Sequence, residues 1–403
     1  MKISAVETHL AAPKWDSDPG WTLGDRNSAA FVRIRTDEGP TGIGETILGH
    51  FAPLVVPPIV DYFRRKLIGE DPFRIDYLWH KLYQDGIWWG RKGAGLSVLS
   101  GIDMALWDLK GNALGVPVYE LLGGRAHDRV PVYASAGEAL WPPEKTVEKV
   151  KRYAAAGYRA AKVGTMAASQ PYYTYDAKTS QARFKTPPVS RYAEMDAEKF
   201  AALRTALGTE FDLAVDGHQG AHPRPTTAHE AIRIANAIEP YGILFYEEPL
   251  SYEDLPGWVE LRRRTEVPIA GGESLSGVAE FEQFISAGAL DIVQPDVSHV
   301  GGITAAKRVL ELADANRLRS AIHTGGTPGP GFAASLHLAI AQHGTLILER
   351  VHATAGTQAR LIKDHLDLVD GAIAAPTCPG LGLDVTDEYL AANPFEPGMG
   401  VRS

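Results

Sequence analysis

The chain has 403 residues, 45% of them hydrophobic and 22% charged, and these proportions exclude a disordered or fibrous protein. Its 49 acidic residues outnumber its 40 basic ones, and since the basic residues form no run or stripe, nucleic acid is not an expected partner. No apolar run approaches the roughly 18 residues of a membrane span, and the single Cys378 can form neither an internal disulfide nor a thiolate metal site. The first residues predict a strand and not a signal peptide, so we expect a cytoplasmic protein without a membrane partner.

Residues 1–125 predict an α+β domain. Alternating apolar and polar residues over 31–36, followed by a turn and another strand, indicate an antiparallel meander. A polar, aromatic loop over 13–21 interrupts this meander, and such a loop is either a functional lid or a disordered connection. From about 51 to 115 the pattern is helical, and Gly115 ends it.

Residues 126–375 predict a barrel. Strand and helix patterns alternate through eight strands, and each of the first seven strands is followed by a helical segment. This period indicates a parallel sheet covered by helices, closed into a modified TIM barrel of the (β/α)7β type. An open doubly wound sheet is the alternative, disfavoured because no glycine-rich phosphate-binding motif follows the first strand. The Pro- and Gly-rich tail over 376–403 is predicted to return to the N-terminal domain.

One insertion interrupts the alternation. Residues 165–194 follow the second barrel strand and carry several tyrosines and basic side chains. Because the insertion leaves the C-terminal end of a strand, we expect it at the mouth of the barrel. It is interpreted either as a lid that contacts substrate or as an oligomer contact or surface flap, and a homo-oligomer is expected.

Six apolar runs in the barrel each end in one polar functional group, and the runs follow one another at about the length of a strand plus a helix. The groups are Asp216, Glu247, Glu273, Asp296, His323 and Glu349. In a parallel barrel the C-terminal ends of successive strands converge on one mouth. A single such group is most simply a solvated carboxylate at a strand end, but six in register indicate a functional site.

Asp216, Glu247 and Glu273 come from three consecutive strand ends and predict a metal site. They offer only hard oxygen ligands, which suit Mg²⁺ with positions left for water or substrate. Without a cation, three adjacent carboxylates would repel one another and raise at least one pKa. The ligand on the second of these strands is Glu247 or Glu248, since neighbours on a strand point to opposite faces.

The remaining groups predict acid and base chemistry. Asp296 and His323 are close enough for a dyad in which the carboxylate fixes the tautomer of the imidazole. His218 lies two residues after Asp216 and therefore shares its inward face. Lys162 on the second strand and Glu349 on the eighth flank the site. Lys162 offers positive charge to a developing anion. The alternative is that its aliphatic stem packs in the barrel while its ammonium group is solvated.

These residues and the N-terminal meander resemble the enolase superfamily, specifically its mandelate racemase-like acid-sugar dehydratases, and the resemblance covers essentially the whole chain. The superfamily uses a Lys or His base with Mg²⁺ and an enediolate. The resemblance implies one Mg²⁺ held by Asp216, Glu247 and Glu273, with Glu247 preferred to Glu248. It also implies a base dyad of His323 and Asp296, the eighth-strand Glu349, and an N-terminal domain that caps the barrel and selects the substrate. The substrate contacts it suggests are Trp21, His50, Trp89, Arg91 and Tyr172.

The second strand departs from the racemases of this superfamily. Racemases carry Lys-x-Lys, whose second lysine is the base opposite the histidine, whereas this chain has Lys162 followed by Val163 and Gly164. Racemisation is therefore not expected. His218 is similar to the acid of dehydratases that act on galactonate, gluconate or mannonate. In mannonate dehydratases a tyrosine of the second-strand loop assists as base, so the further candidates are Tyr172, Tyr173 and Tyr175.

The sequence thus predicts a Mg²⁺-dependent hydro-lyase that converts a sugar acid to a 2-keto-3-deoxy acid. His323 would remove the proton beside the carboxylate, and His218 would protonate the departing 3-hydroxyl. A one-base epimerase or cycloisomerase is the alternative within the superfamily. A non-catalytic sugar-acid binding protein is the alternative outside enzymes, and the intact dyad argues against it because a binding protein needs no base.

Overall fold

The computed structural model describes residues 1–14, 28–137, 139–169, 188–220 and 226–397. In the N-terminal part, three strands form an antiparallel sheet in the order β1-β2-β3. They are β1 (Ile3–Ala11), β2 (Ala29–Thr36) and β3 (Thr41–Thr46). Six helices follow, namely α1 (Leu48–Phe51), α2 (Val56–Leu67), α3 (Ile75–Asp85), α4 (Ile87–Gly90), α5 (Ala94–Leu114) and α6 (Val118–Leu121). The predicted α+β composition of this part is confirmed.

Helix α5 lies directly on β3. A Cβ atom at Gly42 would come within 2.0 Å of the Ala105 carbonyl oxygen, and one at Gly44 within 2.0 Å of that of Gly101. The two glycines of β3 are therefore needed, because they let the helix backbone approach the strand. The apolar residues of α5 are buried on several sides, as expected for a helix that packs against both the sheet and the barrel.

The barrel consists of eight parallel strands in sequence order, and its first and last strands pair with each other. The strands are β4 (Arg129–Gly137), β5 (Ala160–Gly164), β6 (Asp212–Asp216), β7 (Ile243–Glu247), β8 (Ile269–Gly271), β9 (Ile292–Val293), β10 (Arg319–Ile322) and β11 (Thr345–Val351). The closed barrel is confirmed, and the open sheet is wrong because β11 pairs with β4. A short strand that was not predicted, β12 (Ala372–Ala374), pairs antiparallel with the first residues of β4.

Seven helices follow the first seven barrel strands, as predicted. They are α7 (Pro143–Ala155), α8 (Tyr192–Leu207), α9 (Ala228–Ile238), α10 (Leu255–Arg263), α11 (Gly277–Ala287), α12 (Gly302–Ala315) and α13 (Pro330–Ala341). After β11 the described residues form two short α-helices, α14 (Ala355–Leu361) and α15 (Asp387–Ala392). None of the helices formed by the described residues is long and apolar enough to cross a membrane.

The C-terminal segment contacts the N-terminal sheet. Arg33 of β2 donates to the Val385 carbonyl at 2.9 Å and pairs with the carboxylate of Asp387. The backbone N–H of Ala12 donates to the Asn393 carbonyl at 3.0 Å. The C-terminal segment thus packs on the N-terminal sheet, and the division of the chain at residues 125 and 375 stays a prediction.

Candidate active site

The strand ends bring the predicted side chains to one mouth. Asp216 ends β6 and is paired in register with Glu247, which ends β7. Asp296 and His323 form a parallel bridge just beyond β9 and β10. Glu349 lies on β11, which closes the ring against β4. The barrel geometry alone therefore places these groups together.

Lys162 of β5 lies at the centre of the carboxylates. Its Nζ is 2.6 Å from Glu247 Oε1, 3.2 Å from Glu349 Oε1 and 3.4 Å from Asp216 Oδ2. Burial lowers the pKa of Lys162, but the three carboxylates outweigh burial and raise that pKa well above its ordinary value. The side chain is 2% exposed, so the alternative of a packed stem with a solvated ammonium is wrong.

The carboxylates outnumber the cations that face them. Burial raises the pKa of Glu247 in spite of Lys162, and the charge of Asp216 adds to the effect. Glu247 Oε2 also accepts a hydrogen bond of 2.7 Å from Gln294 Nε2. Gln294 was not predicted, although a polar residue inside the apolar run before Asp296 was a visible signal.

The donor set fits a divalent cation. Asp216 Oδ1 is buried and accepts no hydrogen bond from the described residues, which leaves a hard oxygen available as a ligand. Ligand atoms of Glu247, Glu273 and His323 lie within 4.8 Å of one another, and so do those of His218, Glu248 and Glu273. Asp216 belongs to neither of these two groups, but Lys162 Nζ forms ion pairs with both Asp216 and Glu247. Of the predicted trio, Glu247 and Glu273 therefore lie together in one such group, and Lys162 joins Asp216 to Glu247.

His323 forms the predicted dyad with Asp296. Its Nδ1 is 2.8 Å from Asp296 Oδ2, and its Nε2 is 3.2 Å from Glu273 Oε2 and 3.5 Å from Glu349 Oε2. Burial lowers the pKa of His323, but Glu273, Glu349 and Asp296 together raise it well above its ordinary value. Because Asp296 accepts from Nδ1, the nitrogen directed at the mouth is Nε2.

His218 lies on the opposite side of Glu273. Its Nε2 is 3.7 Å from Glu273 Oε1, whereas His323 approaches the other carboxylate oxygen. The backbone of His218 has a φ of 50°, in the left-handed region, and the side chain is 42% exposed. Glu273 thus has one imidazole beside each oxygen.

Glu248 is a buried group whose position the sequence did not reveal. Its φ of 42° ends the alternation of strand β7, so it does not simply point away from the face of Glu247. Its carboxylate accepts from the Ser274 hydroxyl and from the Gly220 backbone N–H, each at 3.2 Å. The hydroxyl of Tyr252 also hydrogen-bonds it. Glu248 therefore joins the segments that carry His218 and Glu273.

The substrate contacts suggested by the resemblance have mixed positions. Trp21, Tyr172, Tyr173 and Tyr175 lie outside the described residues. His50 belongs to α1, just after Ile47, whose N–H donates to the Ser298 carbonyl beside the dyad. Trp89 stacks on Phe63 within the N-terminal domain and is 46% exposed.

Arg91 is exposed, in a stretch that approaches the barrel. Two residues on, the Gly93 N–H donates to the Ser276 hydroxyl at 3.3 Å, in the loop that carries Glu273. The N-terminal domain therefore borders the mouth near both His50 and Arg91. The roles of these residues toward substrate stay predictions.

Known proteins share both the fold and the length of this chain. A D-galactonate dehydratase of Xanthomonas axonopodis pv. citri is 33% identical over 398 residues, which cover 97% of this chain and 94% of that protein. The solved 3,6-anhydro-D-galactonate cycloisomerase of Zobellia galactanivorans is 28% identical with a TM-score of 0.80, covering 98% and 99% of the two chains. A solved member of the enolase superfamily from Polaromonas sp. JS666 is 28% identical with a TM-score of 0.82, covering 99% of each chain.

Family models match both parts of the chain. Residues 5–123 match the N-terminal domain of the mandelate racemase / muconate lactonizing enzyme family, and residues 145–389 match its enolase C-terminal domain-like partner. The chain belongs to this family of enzymes within the enolase superfamily. The resemblance and the prediction of an enzyme are confirmed.

Proposed function

We propose that this enzyme is a Mg²⁺-dependent dehydratase that converts a sugar acid of the aldonate type to a 2-keto-3-deoxy acid. The observation that carries the proposal is the placement of two imidazoles beside the two oxygens of Glu273. One imidazole is 14% exposed and backed by Asp296, and the other is 42% exposed. A base and a separate acid facing one substrate from two sides are what β-elimination of water requires.

Asp216, Glu247 and Glu273 are the residues that would hold Mg²⁺, because they are hard oxygen donors with an excess of negative charge. Bound there, the ion would supply positive charge next to the carboxylate of the substrate. Lys162 already contacts Asp216, Glu247 and Glu349. We therefore assign Lys162 to holding these carboxylates in place and to offsetting their charge.

The chemistry of the chain's own residues then divides between the histidines. His323 Nε2 takes the proton from C2, beside the substrate carboxylate, and Asp296 stabilises the imidazolium that forms. The electron pair released at C2 expels the hydroxyl at C3, which His218 protonates so that it leaves as water. The product is an enol that becomes the 2-keto-3-deoxy acid when its hydroxyl proton moves to C3.

The relatives support the substrate class. The relatives that are 33% identical are named D-galactonate dehydratases, and the similarity covers 94% of their length. Cycloisomerisation is the second candidate, because a structural neighbour is named as a cycloisomerase of 3,6-anhydro-D-galactonate. Both reactions begin with removal of the proton beside the carboxylate, so His323 and Asp296 would have the same part in either.

The test is a screen of purified protein with Mg²⁺ against a library of acid sugars in deuterated water. A dehydratase should form a 2-keto acid from one or a few of them, with deuterium at C3 of the product. A product that has lost no water, and differs in mass from its substrate only by deuterium taken up from the solvent, would instead support an isomerase. His323→Asn is the matched control for proton abstraction, and no exchange and no product with any acid sugar would contradict the proposal.

A further inference from the structure

The dyad is supported by a buried residue, Ser298. Asp296 Oδ2 contacts His323, and its other oxygen, Oδ1, accepts two hydrogen bonds from Ser298. The backbone N–H donates at 2.7 Å and the hydroxyl at 2.5 Å. Ser298 is 1% exposed, so water does not compete for either bond. Two donors on one oxygen fix the plane of the carboxylate.

The N-terminal domain holds the backbone of Ser298. The N–H of Ile47, directly after β3, donates to the Ser298 carbonyl at 3.2 Å. The Ile47 side chain also packs against the turn that follows His323. A Cβ atom at Gly325 in that turn would lie 2.7 Å from Ile47 Cδ1, 2.8 Å from Asp296 Oδ2 and 3.2 Å from His323 Cε1. Ile47 therefore leaves the dyad no free space on this side.

Glu45, two residues before Ile47, contacts the segment that follows the His323 turn. Its carboxylate is 1% exposed and accepts from the Gly331 N–H at 3.0 Å and from the Gly329 N–H at 3.4 Å. These N–H groups begin α13, the helix that follows the turn after His323. Residues 45–47 thus contact the segment after Asp296 and the segment after His323 at once.

We propose that Ser298 is a positioning residue for the base His323, and that residues 45–47 of the N-terminal domain are a clamp that keeps Ser298 and the His323 turn in register. The proposal rests on the assignment of His323 as the base. Ser298 acts through Asp296, whose carboxylate must stay in the plane of the imidazole to hold Nδ1–H. The N-terminal domain then contributes to proton abstraction itself and not only to covering the mouth.

Ser298→Ala removes the hydroxyl donor and keeps the backbone. Partners that orient a functional imidazole are worth roughly 10- to 100-fold at metal-bound histidines, so we expect kcat for exchange of the substrate's α-proton to fall by about 10-fold. KM and the affinity for Mg²⁺ should stay near those of the parent, because Ser298 contacts none of the predicted metal ligands in the described part of the chain. Ile47→Ala should lower the same rate by loosening the turn.

Ser100→Ala is the matched control. Ser100 is 0% exposed and joins the two domains through a hydrogen bond of 2.9 Å from the Gly301 N–H, yet its hydroxyl contacts Leu96 and not the dyad. This variant also loses a buried serine hydroxyl, and with it a contact between the domains, but no hydrogen bond to the dyad. It should therefore keep the parental exchange rate, even if its melting temperature falls.

A spectroscopic measurement tests the positioning without any substrate. The proton on His323 Nδ1 should give a downfield resonance in histidine-labelled protein, assigned by its loss in His323→Asn. We expect this resonance to shift or broaden in Ser298→Ala and Ile47→Ala and to stay in place in Ser100→Ala. An unchanged resonance in Ser298→Ala, or equal rate losses in Ser298→Ala and Ser100→Ala, would overturn the inference. A parent that shows the resonance but exchanges no acid sugar would instead overturn the proposed function.

Discussion

The two histidines of the mouth lie in different surroundings. His323 is 14% exposed, is bonded through Nδ1 to Asp296, and is followed by a turn that Ile47 packs against. His218 is 42% exposed, lies two residues beyond the end of β6, and has a backbone φ in the left-handed region. A base must keep one tautomer and one orientation through every turnover, whereas an acid that meets a leaving hydroxyl must recover its proton from water. The lower exposure of His323 suits a base, and the higher exposure of His218 suits an acid.

Glu273 lies between His323 and His218 and is close to both. His323 Nε2 lies 3.2 Å from one of its oxygens and His218 Nε2 lies 3.7 Å from the other. A change at Glu273 should therefore affect the two sides together, while changes further out should separate them.

Glu273→Gln should have the largest effect. The change keeps the volume of the side chain but removes one predicted Mg²⁺ ligand charge between the two imidazoles. A metal ion contributes several kcal/mol of charge stabilisation, so dehydration and α-proton exchange should both fall by about 10³-fold or more. Calorimetry should show weakened Mg²⁺ binding, and an unchanged affinity would remove Glu273 from the metal site.

The histidine variants should separate the two sides. General acid or base help is commonly worth on the order of 10²–10⁴ in rate. His323→Asn should lose dehydration and exchange alike, because the α-proton is never removed. His218→Asn should lose dehydration yet retain exchange, provided that His323 trades its proton with solvent before the substrate leaves. Exchange that survives in His323→Asn but not in His218→Asn would reverse the two assignments.

Glu248→Gln should perturb mainly the His218 side. The amide would turn donor atoms toward the Gly220 N–H or the Ser274 hydroxyl, which themselves donate to Glu248. We expect dehydration to fall by roughly 10-fold and exchange by less, since misplaced supporting groups cost about this much. Tyr252→Phe leaves the Glu248 carboxylate in place but removes the hydrogen bond between them and the one that the hydroxyl accepts from the Gly272 N–H, and it should show a smaller loss in the same direction. Equal losses in dehydration and exchange would place Glu248 in support of both sides.

The sequence was sufficient to predict the functional groups at the strand ends, but not the contacts that support these groups. Asp216, Glu247, Glu273 and Glu349 could be predicted because each ends an apolar run, and the period of these runs fixes a parallel barrel. The orientation of Glu248 could not be predicted, because a φ of 42° breaks the two-residue period of a strand.

Long-range contacts were also beyond prediction. The hydrogen bond from Gly331 to Glu45 joins residues 286 positions apart, and no local pattern encodes such a pair. The same holds for the contact between Ile47 and Ser298, which needs the N-terminal domain to be docked on the barrel. The chemistry of single strand ends is local, whereas the support of a dyad depends on how the two domains pack.

The smallest expected effect concerns stability on the His323 side. Burial raises the pKa of Glu45 from 4.5 to about 8, although the Gly331 and Gly329 N–H groups lower it. Between these two values the folded chain keeps a proton that the unfolded chain has released, so the stability contributed by Glu45 falls as the pH rises from 4.5 and is lost by about pH 8. Glu45→Gln has no proton to lose there.

The difference in unfolding free energy between Glu45→Gln and the parent should therefore increase in favour of the variant from pH 5 to pH 8, by a few kcal/mol at most, on the order of that pKa shift. Urea unfolding in the presence of a chelator measures it without metal linkage. Asp103 and Asp108, whose pKa values burial also raises, are common to both proteins and cancel in the comparison. Glu260→Gln, at an exposed position, should show no such trend. A difference that is constant across this range would mean that Glu45 is ionised in the folded protein, so that the clamp on the His323 side is held by a charged carboxylate at the start of α13.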